Sequence, residues 1–239
     1  MSRELPLAQR IPLTAAVVIG AIGAYFFSGI VPHALHPAFA TPLDAAVPFV
    51  PEAIWVYLPG YYGGFLVTLL VTRDRFAFRA GGTAFLTITL LALPFFFLFP
   101  VAAPRPIAPN GPGWTDAFVR WLYDNDPLVN TFPSLHVANA FLCAFLTLQS
   151  SRRWGAALGL NALAVCASVL LLKQHWAVDI PGGMFLASLG AAAWKAHMVN
   201  VEARGHEELP WQLAPLRLPT PRFELPRLPR IRFPGDHHS

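Results

Sequence analysis

The chain has 239 residues, of which 55 % are hydrophobic and 13 % charged, and its mean hydropathy is +0.48. A soluble domain carries about 25 % charged residues, so the surplus apolar surface faces lipid and a purely water-soluble globular class is excluded. The formal net charge of +4 and the pI near 9.4 do not point to nucleic acid, because the basic residues flank apolar runs and therefore orient the chain in a membrane.

Residues 1–12 are polar and contain Arg3 and Arg10. The charge-free run that follows, 13–31, has the length of a spanning helix. It continues past signal-peptide length without a convincing small-residue cleavage site, so it reads as a retained span. Pro37, Pro42, Pro48 and Pro51 then break any regular helix. A second span is expected over 53–71, with Trp55, Tyr57, Tyr61 and Tyr62 at its start as aromatic anchors of the headgroup boundary. Arg73 to Arg79 reads as a short basic loop, and a third span as 82–99.

Residues 101–131 form the longest internal connection, rich in Pro, Gly and Asn. Within it, 114–123 is predicted as a short amphipathic helix with Trp114, Phe118, Trp121 and Leu122 on one side. The fourth span is expected at 135–148, the fifth at 155–172 and the sixth at 180–193, the last short and rich in Gly and Ala, as closely packed membrane helices are. Cys143 and Cys166 fall inside apolar runs and read as small packing residues. The expected organisation is a cytoplasmic N-terminus (1–12), a membrane domain (13–199) and a basic, Pro-rich, disordered cytoplasmic tail (200–239) that rests on anionic lipid heads.

Six spans put both termini on one side. Fourteen of the 17 Lys and Arg residues then share that side, and only Arg105, Arg120 and Lys173 lie opposite. The positive-inside rule places the termini in the cytoplasm and the loops at 32–52, 101–134 and 173–179 on the outer face of an inner or plasma membrane. His136 opens the fourth span and His175 closes the fifth, so both are expected at the outer face.

Two polar stretches, Asn130-Thr131-Phe132-Pro133-Ser134-Leu135-His136 and Lys173-Gln174-His175-Trp176-Ala177-Val178-Asp179, carry the candidate chemistry. The i, i+4 spacing of His175 and Asp179 places imidazole and carboxylate on one helical face. A carboxylate on one ring nitrogen fixes the tautomer and frees the other as nucleophile or base. Ser134 and His136 fall at a helix N-terminus, where Ser134 is the expected N-cap and free N–H groups bind anions. Arg105 and Lys173 are cations on the outer face, where a phosphate would be held.

Pro133-Ser134-x-His136 and Ser168-x6-His175-x3-Asp179 resemble the second and third signatures of the type-2 phosphatidic acid phosphatase superfamily, which comprises integral lipid phosphatases and phosphotransferases. Three positions depart from its phosphatase members. Val169 follows Ser168 where they carry arginine, Leu135 stands in place of glycine, and Arg105-Pro106 lacks the upstream lysine of the first signature. Phe132-Pro133-Ser134-Leu135-His136 and Lys173-Gln174-His175-Trp176 are closer to the branch of inositol phosphorylceramide synthase and sphingomyelin synthase.

The resemblance implies an all-α bundle of six transmembrane helices with an outward-facing site and a phosphohistidine mechanism. In that mechanism His175 is the nucleophile, Asp179 its orienter and His136 the acid and base, while Arg105, Lys173 and Ser134 bind the phosphate. The expected partners are a lipid phosphate or phospholipid, a lipid alcohol as acceptor, and the membrane, with no cofactor, metal or nucleic acid. The rivals are a proton-relay transporter, a haem- or quinol-binding membrane protein, and a metal site drawing on His33, His36, His136 and His175.

Overall fold

A computed structural model describes residues 3–31 and 35–204. His33 and the tail from 205 lie outside the described residues. Among the described residues the fold is helical and has no β-sheet, only two isolated bridges, Glu4 with Asp74 and Val101 with Asn130. The elements in order are α1 (Leu7–Ile30), α2 (Pro42–Ala46), a 3-10 turn (Pro51–Ala53) leading into α3 (Ile54–Val71), α4 (Arg75–Leu98), α5 (Trp114–Asn125), α6 (Leu135–Leu148), α7 (Arg152–Leu171) and α8 (Asp179–Ala203).

Six of these helices correspond to the six apolar runs. Four of them, α1, α3 with its 3-10 turn, α4 and α7, are long and apolar enough to cross a membrane. The other two differ from the expected uniform spans. α6 has 14 residues, about 21 Å at 1.5 Å per residue, and is shorter than the ~30 Å hydrocarbon core. α8 runs ten residues past the expected end of its apolar run, through Trp194, Lys195, His197, Asn200 and Glu202. The expected boundary at 199 therefore falls inside a helix.

The basic loop at 73–79 also contracts. Asp74 caps α4 by accepting the Phe76 and Ala77 N–H groups at 3.0 and 2.9 Å, so Arg75 and Arg79 become helical. Arg10, expected in a polar leader, is a buried residue of α1. Its guanidinium donates to the Leu69 carbonyl and, at 3.3 and 3.4 Å, to those of Leu70 and Thr72. It thereby satisfies carbonyls that the end of α3 leaves without partners.

The core lies between α3, α6 and α7, where Ile54, Tyr57, Val137, Ala162, Val165 and Val169 pack together with Val119 and Leu122 of α5. Thus α5 does form, but its expected apolar side divides. Leu122 is buried, Phe118 packs edge-on against Trp55, and Trp114 and Trp121 face outward. A second cluster joins α4 to α6 and α8 through Ile88, Phe96, Leu142, Leu146 and Leu186. Cys143 and Cys166 are free and buried.

Glycine sets the closest approach that matters for the site. A Cβ on Gly183 would stand 2.6 Å from the Ser134 carbonyl oxygen and 2.8 Å from Val137 Cβ. Only a residue without a side chain lets the first turn of α8 lie against the first turn of α6.

Candidate active site

At one end of the bundle the start of α6, the end of α7 and the start of α8 converge. Ser134 N-caps α6, its Oγ accepting the Val137 N–H at 3.3 Å. The Ser134 N–H donates in turn to the Asp179 carbonyl at 3.3 Å, tying α6 to α8. α7 stops in a Schellman motif, in which the Gln174 N–H reaches the Val169 carbonyl and the Lys173 N–H that of Leu170. Lys173 takes the left-handed position, with φ 53°. That position usually goes to glycine, and a side chain there costs about 1–2 kcal/mol. The turn throws His175 back over the bundle.

His175 and Asp179 meet, though not as two residues of one helix. His175 lies in the turn and Asp179 is the first residue of α8. Asp179 Oδ2 accepts from the Trp176 N–H at 2.9 Å and from His175 Nδ1 at 3.1 Å. Both side chains are buried, at 4 % and 1 % exposure. With the Nδ1 proton directed at the carboxylate, the free lone pair of His175 lies on Nε2. That nitrogen is 3.1 Å from Ser134 Oγ and 3.2 Å from His136 Nδ1. Four predicted residues, Ser134, His136, His175 and Asp179, thus form one continuous hydrogen-bonded cluster.

His136 has partners that sequence reasoning missed. Its Nε2 is 2.6 Å from Tyr57 Oη, and its ring packs against those of Tyr57, Tyr61 and Tyr25. Tyr61 is held by the Asn139 amide at 3.0 Å. These tyrosines read as interfacial anchors in the sequence. The available signal was their spacing, since Tyr57 and Tyr61 fall one turn apart on α3 at the same end as His136.

The two cations expected to bind phosphate both have protein partners in the structure. Lys173 Nζ donates to the Asp44 and Val47 carbonyls at 2.9 and 2.6 Å, closing the C-terminal end of α2. The Asp44 carboxylate receives the Ala177 N–H at 2.7 Å and the Thr41 N–H and hydroxyl. Burial alone would raise its pKa, but those hydrogen bonds, with Lys173 nearby, outweigh burial and lower it. Lys173 therefore joins α2 to the turn that carries His175.

Arg105 is buried under Tyr123. Its Nη2 pairs with Asp126 Oδ2 at 2.7 Å, and its Nε donates to Gln174 Oε1 at 2.8 Å. Its Nη1 takes the Tyr123 and Asp126 carbonyls. Asp126 is thus part of a largely buried network that includes the Tyr25 hydroxyl at 3.0 Å. Burial pushes its carboxyl pKa up and Arg105 pulls it partly back. Gln174, the neighbour of His175, spends its Oε1 on Arg105 and leaves Nε2 as a buried donor with no partner. It had no signal in the sequence beyond its position.

Ser168 bonds only its own helix, through the Val165 carbonyl at 2.8 Å, and Val169 is fully buried in the core. The position that carries arginine in the phosphatases is here a packing position. His36 lies against Phe99. Among the described residues no group of three or more His, Cys, Asp and Glu is arranged to hold a metal ion.

His136 lines a cavity of about 340 Å³ whose walls come from α1, α3, α4, α5 and α6. Fold and site together define a helical membrane protein with a histidine–carboxylate–serine cluster at one end of an apolar cavity. A model of the PAP2 superfamily matches residues 36–193, well over half of the chain. The chain belongs to this superfamily, the type-2 phosphatidic acid phosphatases and their relatives, and that membership supports an enzyme with phosphatase-type activity. No curated protein and no solved structure matches it significantly.

Proposed function

We propose that the protein is a membrane lipid-phosphate phosphatase or phosphotransferase working through a phosphohistidine on His175. The observation that carries this proposal is the double contact of His136. It touches His175 Nε2 at 3.2 Å and also lines the apolar cavity, so one residue joins the polar cluster to a space that suits hydrocarbon.

In the first step His175 Nε2 attacks phosphorus while the P–O bond to the lipid alcohol breaks. Protonated His136 gives its Nδ1 proton to the departing oxygen. In the second step water or an acceptor hydroxyl attacks the phosphoryl group, its proton passes to His136 Nδ1, and the N–P electron pair returns to His175. Asp179 holds the Nδ1 proton of His175 throughout and offsets the positive charge that develops on the ring. Ser134 Oγ and the Leu135 and His136 N–H groups at the start of α6 face the phosphoryl oxygens, while the Val137 N–H is taken by the Ser134 cap. The Gln174 amide supplies a further donor, and Arg105 behind it supplies positive charge.

Both steps use Nδ1 of His136, so Nε2 keeps its proton in the charged and the neutral ring. Tyr57 Oη is the acceptor that secures this tautomer. Tyr57→Phe is expected to lower kcat roughly tenfold to a hundredfold, part of the ~10²–10⁴ supplied by a positioned acid–base group, with little change in KM. An unchanged kcat sinks this role for Tyr57.

The distribution of Lys and Arg is the support for six spans, cytoplasmic termini and an outward-facing site. All six longer helices place one end at the cluster: α1, α4 and α7 end there, and α3, α6 and α8 begin there. The test of the function is a panel of lipid phosphates and phospholipids offered to purified protein with and without diacylglycerol or ceramide. Free phosphate identifies a phosphatase, a new phospholipid a transferase, and turnover of neither overturns the proposal. Transfer is a second reading with its own support, the resemblance to the sphingolipid synthase branch and the burial of Val169 where phosphatases place arginine.

A further inference from the structure

We propose that the cavity beside His136 is a slot for one hydrocarbon chain of the substrate, and that α1 sets the chain length through Ala21. This rests on the lipid-phosphate reading of the site and adds to it the shape of the lipid.

The cavity runs along the bundle axis away from the cluster. On α1 its wall passes from Tyr25 through Ala21 to Val17, eight residues and about 12 Å of helix. The facing walls descend the same way, from Tyr61 to Phe65 on α3 and from Thr89 to Phe85 on α4. The polar groups gather at the top, where His136, Asp126 and the tyrosine hydroxyls lie, and the lower part is apolar. A phosphate at His175 would therefore send its ester substituent past His136 and down this slot.

Volume limits the occupant. An apolar protein cavity of about 150 Å³ takes a benzene-sized ligand. On that scale 340 Å³ holds about a dozen carbon atoms, which is one medium chain rather than two long ones. The side of the slot is not closed to lipid, because Ile22, Phe26 and Tyr62 line it and are also exposed on the bundle surface. A second chain, or the end of a longer one, leaves between α1 and α3 into the bilayer.

The family match begins at residue 36, so α1 lies outside the matched segment, yet it supplies one complete wall. Tyr25 anchors that wall through its bond to Asp126, and the Asn130 amide holds the Tyr25 carbonyl at 2.7 Å. Ala21 is the smallest residue lining the slot and sits midway down it, so a large side chain there divides the space.

The experiment uses single-chain alkyl phosphates of four to sixteen carbons with the full chain in nanodiscs. For the unaltered protein kcat/KM should climb with chain length and level off near about a dozen carbons. In Ala21→Trp the plateau should arrive several carbons earlier, so the ratio of long-chain to short-chain kcat/KM falls at least tenfold. Thr89→Phe, from the opposite wall, should do the same and guards against a folding defect peculiar to Ala21. A chain-length profile that is flat in the unaltered protein, or that neither variant changes from that of the unaltered protein, overturns the slot.

Non-hydrolysable alkyl phosphonates separate this result from failure of the reaction itself. The rise in melting temperature they cause should follow the same length profile, and shift with Ala21→Trp, even where no turnover is seen. Turnover without a chain-length effect overturns the slot alone. A length-dependent melting shift without turnover overturns the reaction and keeps the slot.

Discussion

Replacing His175 with alanine should abolish turnover, by at least about a thousandfold, because it removes the proposed nucleophile that forms the covalent bond to phosphorus. The geometry makes this specific. His175 Nε2 is the only ring nitrogen in the cluster whose partner nitrogen, Nδ1, is bonded to a carboxylate, Asp179 at 3.1 Å. His136 contacts a phenol and an imidazole instead and has no anion of its own to stabilise a phosphorylated ring. Brief incubation with a ³²P-labelled lipid phosphate followed by a base quench should trap an acid-labile label on the protein, and His175→Ala should carry none. Label in that variant, or turnover above a hundredth of normal, would place the nucleophile elsewhere.

Loss of His136 should look different, because its work depends on the leaving group. With an alkyl phosphate the departing alkoxide needs a proton, and His136→Ala should cost about 10²–10⁴ in kcat. With para-nitrophenyl phosphate the departing phenolate needs none. The first step then survives and the second, which still requires a base, becomes slow. Rapid mixing should show a burst of nitrophenol close to one equivalent of enzyme, followed by a slow steady rate. Equal losses on both esters with no burst would show that His136 does not deliver the proton.

These two outcomes turn on residues whose pairing was legible before any coordinates. Ser134 as the N-cap of α6 follows from short-range chemistry, since a hydroxyl before an apolar run satisfies a first-turn N–H. The pair His175 and Asp179 was found from spacing, although the contact is made across a turn rather than along a helix. The convergence of His136 with His175 follows from helices that alternate direction. The length of α8 and the start of α4 were less legible, because hydropathy marks where a helix is greasy and not where its backbone bonds end.

The class of molecule, the ends of the helices where the chemistry lies and the four residues of the cluster are all readable from the order of the residues alone. Each of these depends on local periodicity or on apolar length, which act over a few residues. What surrounds them depends on packing. The Arg105 and Lys173 side chains are long and flexible, and a partly buried cation takes whichever acceptors packing brings within reach. Those acceptors are Asp126 and Gln174 for one and the end of α2 for the other. Tyr57 on α3 and Tyr25 on α1 reach His136 from 79 and 111 positions away in the chain. No local pattern encodes such contacts, because they exist only once α1, α3 and α6 have packed around a common cavity.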